Sequence, residues 1–174
     1  DIADKALEIA RGKALKADLG NVVFEEQDGH HPKFEDGAFD VVTCASALFG
    51  FQDIPGALRE WYRVLRPGGK VAICTYGREF RSVSTLLRNT IAKHSTGPSA
   101  RNANEGVLET VEQCVNCLAE AGFQDIRTAS EELGYYYPTV EAYWEEDVLC
   151  SMRRIPLDKL DPETAERVRI EHFE

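Results

Sequence analysis

Apolar residues recur along the chain in two rhythms. Over residues 2–17 they keep helical spacing, with Leu7, Ala10 and Ala14 on one stripe. Residues 21–27 follow with Val22, Val23 and Phe24 in a short run that predicts a buried strand. Residues 29–37 carry His30, His31, Pro32 and several acids, and read as a loop. The run FDVVTC at 39–44 is apolar nearly throughout, as parallel strands covered on both faces are. Asp53 stands where a helix cap belongs, and Ile54, Leu58, Trp61 and Leu65 then share one face of a helix over 54–65. Pro67-Gly68-Gly69 is expected to stop it, and KVAICTY at 70–76 predicts a third strand.

Beyond residue 77 the rhythm weakens. Residues 81–93 have a helical pattern and 96–104 a loop composition. Together, residues 81–104 are polar, interrupt the alternation and contain Gly97-Pro98, so a mobile cover over a substrate side is expected there. Thr110 and Gln113 form a capping box, and Val111, Cys114, Leu118 and Ala121 line one stripe that closes at Gly122. Residues 124–130 and 133–137 are candidate strands close enough to pair antiparallel. Residues 139–152 read as a helix, and Asp161-Pro162 opens another that has no stop signal before residue 174. The order α-β-(loop)-β-α-β-α-β-β predicts a single α/β domain over 1–174, Rossmann-like, with a mostly parallel sheet and a C-terminal antiparallel strand pair.

Composition narrows the partners. Thirty acidic against 20 basic residues give a formal charge of -10. A net acidic surface repels phosphate backbones and anionic lipid, so neither nucleic acid nor membrane is an expected partner. No apolar run approaches the roughly 20 residues that span a bilayer. The five cysteines are odd in number and scattered, and Cys44 and Cys74 sit inside apolar runs. Reduced thiols and a cytoplasmic location are expected. Cys114 and Cys117 could be half a zinc site or a redox pair. They fit one helix better, because a structural zinc needs two more ligands and no second pair follows. No metal is expected.

In open parallel sheets, ligands bind beyond the carboxyl ends of the strands. The residues at those places are Asp1, Asp28-Gly29-His30, Cys44-Ala45-Ser46 and Thr75-Tyr76-Gly77. An acid at position 1 can take both hydroxyls of a ribose. Asp28 can accept from an exocyclic amino group, and the Gly29 N–H can serve a neighbouring ring nitrogen. Together these describe a nucleoside site.

The segments DIADKALEIARGKA, NVVFEEQDGHHPKF, FDVVTCASALFGFQD and ALREWYRVLRPGGKVAI, in that order, resemble the class I S-adenosylmethionine-dependent methyltransferases of small molecules. TVEQCVNCLAEAGF resembles the later helix of that family. The resemblance implies S-adenosylmethionine as cofactor and direct, in-line methyl transfer to a small-molecule acceptor. By it, Asp1 binds the ribose diol and Ile2 packs on the adenine. Asp28 takes the adenine amino group, with Gly29 and His30 beside it, and Cys44 and Ala45 line the methionine moiety with backbone atoms. Three departures stand out. The family's glycine-rich loop is not in the sequence. Pro32-Lys33 replaces the usual Leu-Pro. Phe49-Gly50-Phe51 stands where a histidine often follows the fourth strand. The first departure implies an internal piece of a longer polypeptide, inactive alone. The 39–44 strand is then left with an open edge that invites self-association. His31 and Tyr76 are the candidates for a base, needed only if the acceptor carries a proton. Tyr135, Tyr136, Tyr137, Tyr143 and Trp144 read as core and lid packing. Two other classes share the strand–helix order: a non-catalytic nucleoside- or cofactor-binding module, and a nicotinamide-dependent reductase. Against the latter, no Tyr is followed four residues later by Lys.

Overall fold

The computed structural model describes residues 1–95, 107–149 and 154–173. In chain order the elements are α1 (Asp4–Lys16), β1 (Phe39–Ala45), a short 3-10 turn (Leu48–Gly50), α2 (Ile54–Val64), β2 (Leu65–Cys74) and α3 (Arg78–His94). Then come α4 (Val111–Glu120), α5 (Val140–Tyr143), a π-helical stretch (Trp144–Leu149), α6 (Arg154–Leu157) and α7 (Pro162–Phe173). They form two compact units. One is Asp1–Thr75 with Thr110–Ile126, the other Tyr76–Glu109 with Arg127–Glu174.

In the first unit, α1 carries Asp4 in its first turn and Lys13 and Lys16 in its last, matching the helix dipole. Leu7 and Ala14 are its buried positions. β1 and β2 pair in parallel, from Val41 opposite Lys70 to Ala45 opposite Cys74. α2 connects them. Asp53 caps it by accepting from the Gly56 N–H at 2.8 Å, and Ile54, Ala57, Leu58, Trp61 and Val64 are buried along one face.

The Pro-Gly-Gly turn does not stop α2. The helix ends at Val64, where the buried Leu65 turns extended and begins β2. Leu65 pairs with Phe39 and Lys70 with Val41, so residues 66–69 bulge out of the ladder opposite Asp40 alone. Gly68 takes a φ of +78° in that bulge, a conformation glycine adopts without strain. An Arg66–Asp40 ion pair braces it.

Residues 21–27 do not form a regular strand, yet they hold the beginning of one. The Asp1 nitrogen donates to the Glu25 carbonyl (3.3 Å), and the Gln27 N–H donates to the Asp1 carbonyl (3.0 Å). These are the two bonds of a parallel bridge around Glu26. Among the described residues no strand lies beside the rest of the segment, and Val23 is 80% exposed. The antiparallel pair expected over 124–137 is also not formed. All these residues are described and none is in a strand, and Leu133, Tyr135 and Tyr136 are exposed. The boundary between the two units, at Ile126 and Arg127, cuts through the first of the two candidate strands.

α4 has the expected capping box. The Gln113 N–H donates to the Thr110 hydroxyl, and the Thr110 N–H donates to the Gln113 side chain. Leu118 and Ala121 are buried, whereas Val111 is exposed and both cysteines are half-buried, pushed up in pKa by that burial.

The second unit is helical among the described residues. Leu87 and Ile91 of α3 pack with Trp144, Val148, Leu157 and Val168. Glu171 of α7 accepts from Lys93 and pairs with His94 (2.6 Å), tying α7 to α3. α3 matches the helical pattern read at 81–93; the loop expected at 96–104 lies outside the described residues. The helix expected over 139–152 begins as α5, widens into the π-helical stretch and ends its described course at Leu149.

Candidate functional site

The parallel bridge between Asp1 and Glu26 brings two acids to the same end of neighbouring extended segments. Asp1 lies at the end of one, and Asp28 follows two residues after Glu26 on the other. Asp1 Oδ1 accepts from the Ala3 N–H (3.0 Å), which turns the chain into α1. Ile2 is 72% exposed beside it.

Asp28 is half exposed and well organised. Its Oδ1 accepts from the His30 backbone N–H (2.9 Å) and contacts the imidazole Nδ1 (3.0 Å). The backbone bond first, then the ring, holds its carboxyl below the ordinary carboxylate range. Oδ2 accepts no hydrogen bond from the described residues. The Gly29 carbonyl accepts from the Trp61 indole N–H (2.9 Å). A side chain at Gly29 would meet the Phe51 ring at 2.7 Å, so the ring would have to shift to admit one. His30 stacks on Phe51 (centroids 4.4 Å), and Phe51 packs edge-on against Trp61 (5.7 Å). The Gln52 N–H donates to His30 Nε2 (3.0 Å). His31 is exposed; its backbone N–H donates to the Asp28 carbonyl (3.1 Å).

The loop after this cluster is held by Arg63 of α2. Its guanidinium donates to the carbonyls of Pro32 (3.1 Å) and Phe34 (2.8 Å), to Asp36 (2.7 Å) and to Glu60 (2.9 Å). Asp36 first, and Glu60 next, push its pKa further up. Lys33 donates its N–H to Gln27 Oε1 (3.1 Å). The Pro32-Lys33 departure is thus accommodated by a loop whose carbonyls are pinned from behind.

At the carboxyl end of β1, Cys44 is half-buried and Ala45 exposed. Burial pushes the Cys44 thiol up, while the backbone N–H groups of Ala47 and Leu48 pull the other way. Ser46 has a φ of +54°, in the left-handed region that favours glycine, and its N–H extends the ladder to the Cys74 carbonyl (2.9 Å).

The structure brings Asp1, Asp28, Gly29 and His30 to one end of the first unit. The Phe51–Gln52 contacts connect that group to the segment following β1, which carries Cys44 and Ala45. Tyr76 belongs to the second unit, as do Tyr135, Tyr136, Tyr137, Tyr143 and Trp144. A cleft of about 510 Å³ is lined by Asp1, Leu7, Ala10, Phe24, Gln27 and Phe39, among others, and includes only Asp1 of the expected site residues. Phe51, Gln52, Trp61 and Arg63 were not foreseen as site residues. The signal for Trp61 was its N–H, which seeks a partner when the ring is buried. Among the described residues no cluster could hold a metal ion, and no helix is long and apolar enough to cross a membrane.

Residues 1–73 match the family model described as a methyltransferase domain. Over that stretch, about two-fifths of the chain, the sequence is similar to methyltransferase domains. A demethylmenaquinone methyltransferase of Listeria welshimeri is 39% identical over 146 residues, covering 77% of this chain and 62% of that protein. One from Thermus thermophilus is 45% identical over 76 residues, 44% of this chain and 34% of the relative. A ubiquinone/menaquinone biosynthesis C-methyltransferase of Idiomarina loihiensis is 38% identical over 79 residues, 45% of this chain and 32% of the relative. The chain therefore spans about six-tenths or less of these relatives' length. The solved YcgJ protein of Bacillus subtilis is 19% identical and superposes with a TM-score of 0.57 over 96% of this chain and 69% of its own, a likeness of fold. The residues present are of kinds that fit the adenosine half of S-adenosylmethionine. Asp28 keeps one carboxylate oxygen open, the Gly29 N–H donates to no described residue, and Ile2 presents an uncovered apolar side chain.

Proposed function

We propose that this chain binds the adenosine half of S-adenosylmethionine through Asp1, Ile2, Asp28 and Gly29, and serves methyl transfer to a small-molecule acceptor. The observation that carries this reading is the pairing of Asp1 with residues 25–27. It brings two acids, Asp1 and Asp28, to the same end of adjacent segments.

The cofactor, when bound, supplies a methyl group on a sulfonium, so that transfer breaks a carbon–sulfur bond and leaves a neutral thioether. The chain's own work is to bind and orient. Asp1 would accept from the ribose hydroxyls, Asp28 Oδ2 from the purine amino group, and the Gly29 N–H would donate to a ring nitrogen. Ile2 would shield one purine face. Backbone atoms of Cys44 and Ala45 would border the sulfonium end. Holding the reactants in line contributes much of the acceleration in such a reaction. His31, exposed beside Asp28, is the side chain of the first unit proposed to take a proton from an acceptor that has one.

The names of the relatives suggest the acceptor class. A quinone-type ring methylated at carbon is the acceptor we propose first. Calorimetry with S-adenosylmethionine and NADH side by side tests the cofactor assignment. Binding of the former alone supports it, and binding of NADH alone favours a reductase. Transfer of labelled methyl to a demethylated quinone tests the acceptor, using the longest available form of the protein.

A further inference from the structure

We propose that His30 is a positioning residue for cofactor binding: its imidazole fixes the Asp28 carboxylate and ties it to the segment that follows β1. The proposal rests on the reading of Asp28 as the purine-binding acid.

The geometry assigns each ring nitrogen a direction. A backbone N–H always donates, so Gln52 at 3.0 Å requires a lone pair on His30 Nε2. The ring proton then sits on Nδ1, which lies 3.0 Å from Asp28 Oδ1 and donates to it. Oδ1 thereby receives two donors from one residue, the His30 backbone N–H and the ring N–H. Its rotation about the Cβ–Cγ bond is restrained, and Oδ2 is left as the open acceptor. The ring itself is held by Phe51 against one face and by Gln52 at its far nitrogen. Trp61 supports this arrangement twice, edge-on against Phe51 and through its bond to the Gly29 carbonyl. Asp28 and Gln52 are 24 positions apart in sequence, and the imidazole is the group that bonds to both. His31 does not share this role, since its contact with Asp28 is made by the backbone. A movement at the end of β1, such as one accompanying acceptor binding, would therefore be felt at the purine acid.

Long-range proton–nitrogen correlation spectra of the histidine rings test the tie in the unaltered protein without cofactor. The Nδ1–H tautomer is expected for His30, and the Nε2–H form would overturn the proposal. Three variants divide the two bonds. H30N keeps a donor near Nδ1 and loses the Nε2 acceptor. H30Q places an acceptor near Nε2 and loses the Nδ1 donor. H30A loses both. The Gln52 amide resonance should move in H30N and H30A and stay nearest its original position in H30Q; an unmoved resonance in H30A overturns the proposal. By calorimetry H30A should weaken S-adenosylmethionine binding about tenfold. Combined with D28A, it should add little to the loss from D28A alone. Independent, additive losses would reject the positioning role. If D28A itself leaves affinity unchanged, the purine assignment of Asp28 fails. The tautomer and the Gln52 resonance still decide whether His30 ties the two segments.

Discussion

Asp28 is the residue on which the functional reading turns. Replacing it by Ala should weaken S-adenosylmethionine binding about tenfold or more, because a purine amino group would lose its acceptor on transfer from water. Calorimetry on D28A checks this, and unchanged affinity rejects the assignment. The same carboxylate makes a pH prediction. Its folded pKa lies below the ordinary value, so its ionised form stabilises the loop at every pH above the unfolded value of about 4. That contribution disappears as pH falls through the lower, folded value. Acid unfolding of D28N should therefore be less steep below about pH 4 than that of the parent protein. Coincident acid profiles would show that the His30 bonds contribute nothing to stability. Ser46 offers a third test at this scale. A non-glycine residue in the left-handed region costs about 1–2 kcal/mol. S46G should be neutral or more stable, and S46V less stable by about 1–2 kcal/mol, by thermal unfolding. Equal stabilities for the two variants would mean that the backbone relaxes out of this conformation.

At the scale of elements, α2 is the part that supports the site. Its inner face delivers Trp61 to Gly29, and its last turn delivers Arg63 to the carbonyls of residues 32 and 34. Loss of the Asp53 cap in D53A should lower stability by about 1 kcal/mol in thermal or denaturant unfolding. No change would mean that tertiary packing alone holds the first turn. This helix was legible in the sequence because its signals are local: a capping acid and apolar residues every three or four positions. The α4 capping box was legible for the same reason, as was the parallel pairing of two apolar runs joined by a helix. The order of the site segments was legible through the family resemblance, which placed Asp1 and Asp28 at segment ends. The His30–Phe51–Trp61 cluster was not, since its members are 10 to 31 positions apart and nothing local marks aromatic residues that will meet. The strand pair at 124–137 failed for a related reason. Alternation suggests a strand, but pairing needs a neighbour, and the division between the two units falls inside the first segment. The Pro-Gly-Gly turn misled because the same residues suit a helix stop and a bulge in a strand.

For the whole molecule, the edge of β1 opposite β2 is unpaired among the described residues, and Val41 on that strand is 53% exposed. An open apolar edge of this kind pairs with other strands. A polypeptide of residues 1–174 is therefore expected to self-associate, and sedimentation at micromolar concentration should show species heavier than 19.5 kDa. A sharp 19.5 kDa monomer throughout would reject the expectation. The acidic balance, -10 overall, opposes such association at low salt, so added salt should strengthen it. The division into two units also has an optical consequence. The chain has two tryptophans, and each unit has one. Trp61 is buried and hydrogen-bonded to the Gly29 carbonyl, whereas Trp144 is buried beside Phe173. Replacing Trp144 by Phe would leave a single indole whose emission senses the loop holding Asp28, and replacing Trp61 would leave one that senses the helical unit. The protein thus contains its own pair of separable fluorescent reporters, able to show whether the two units melt together and whether a nucleoside disturbs only the first.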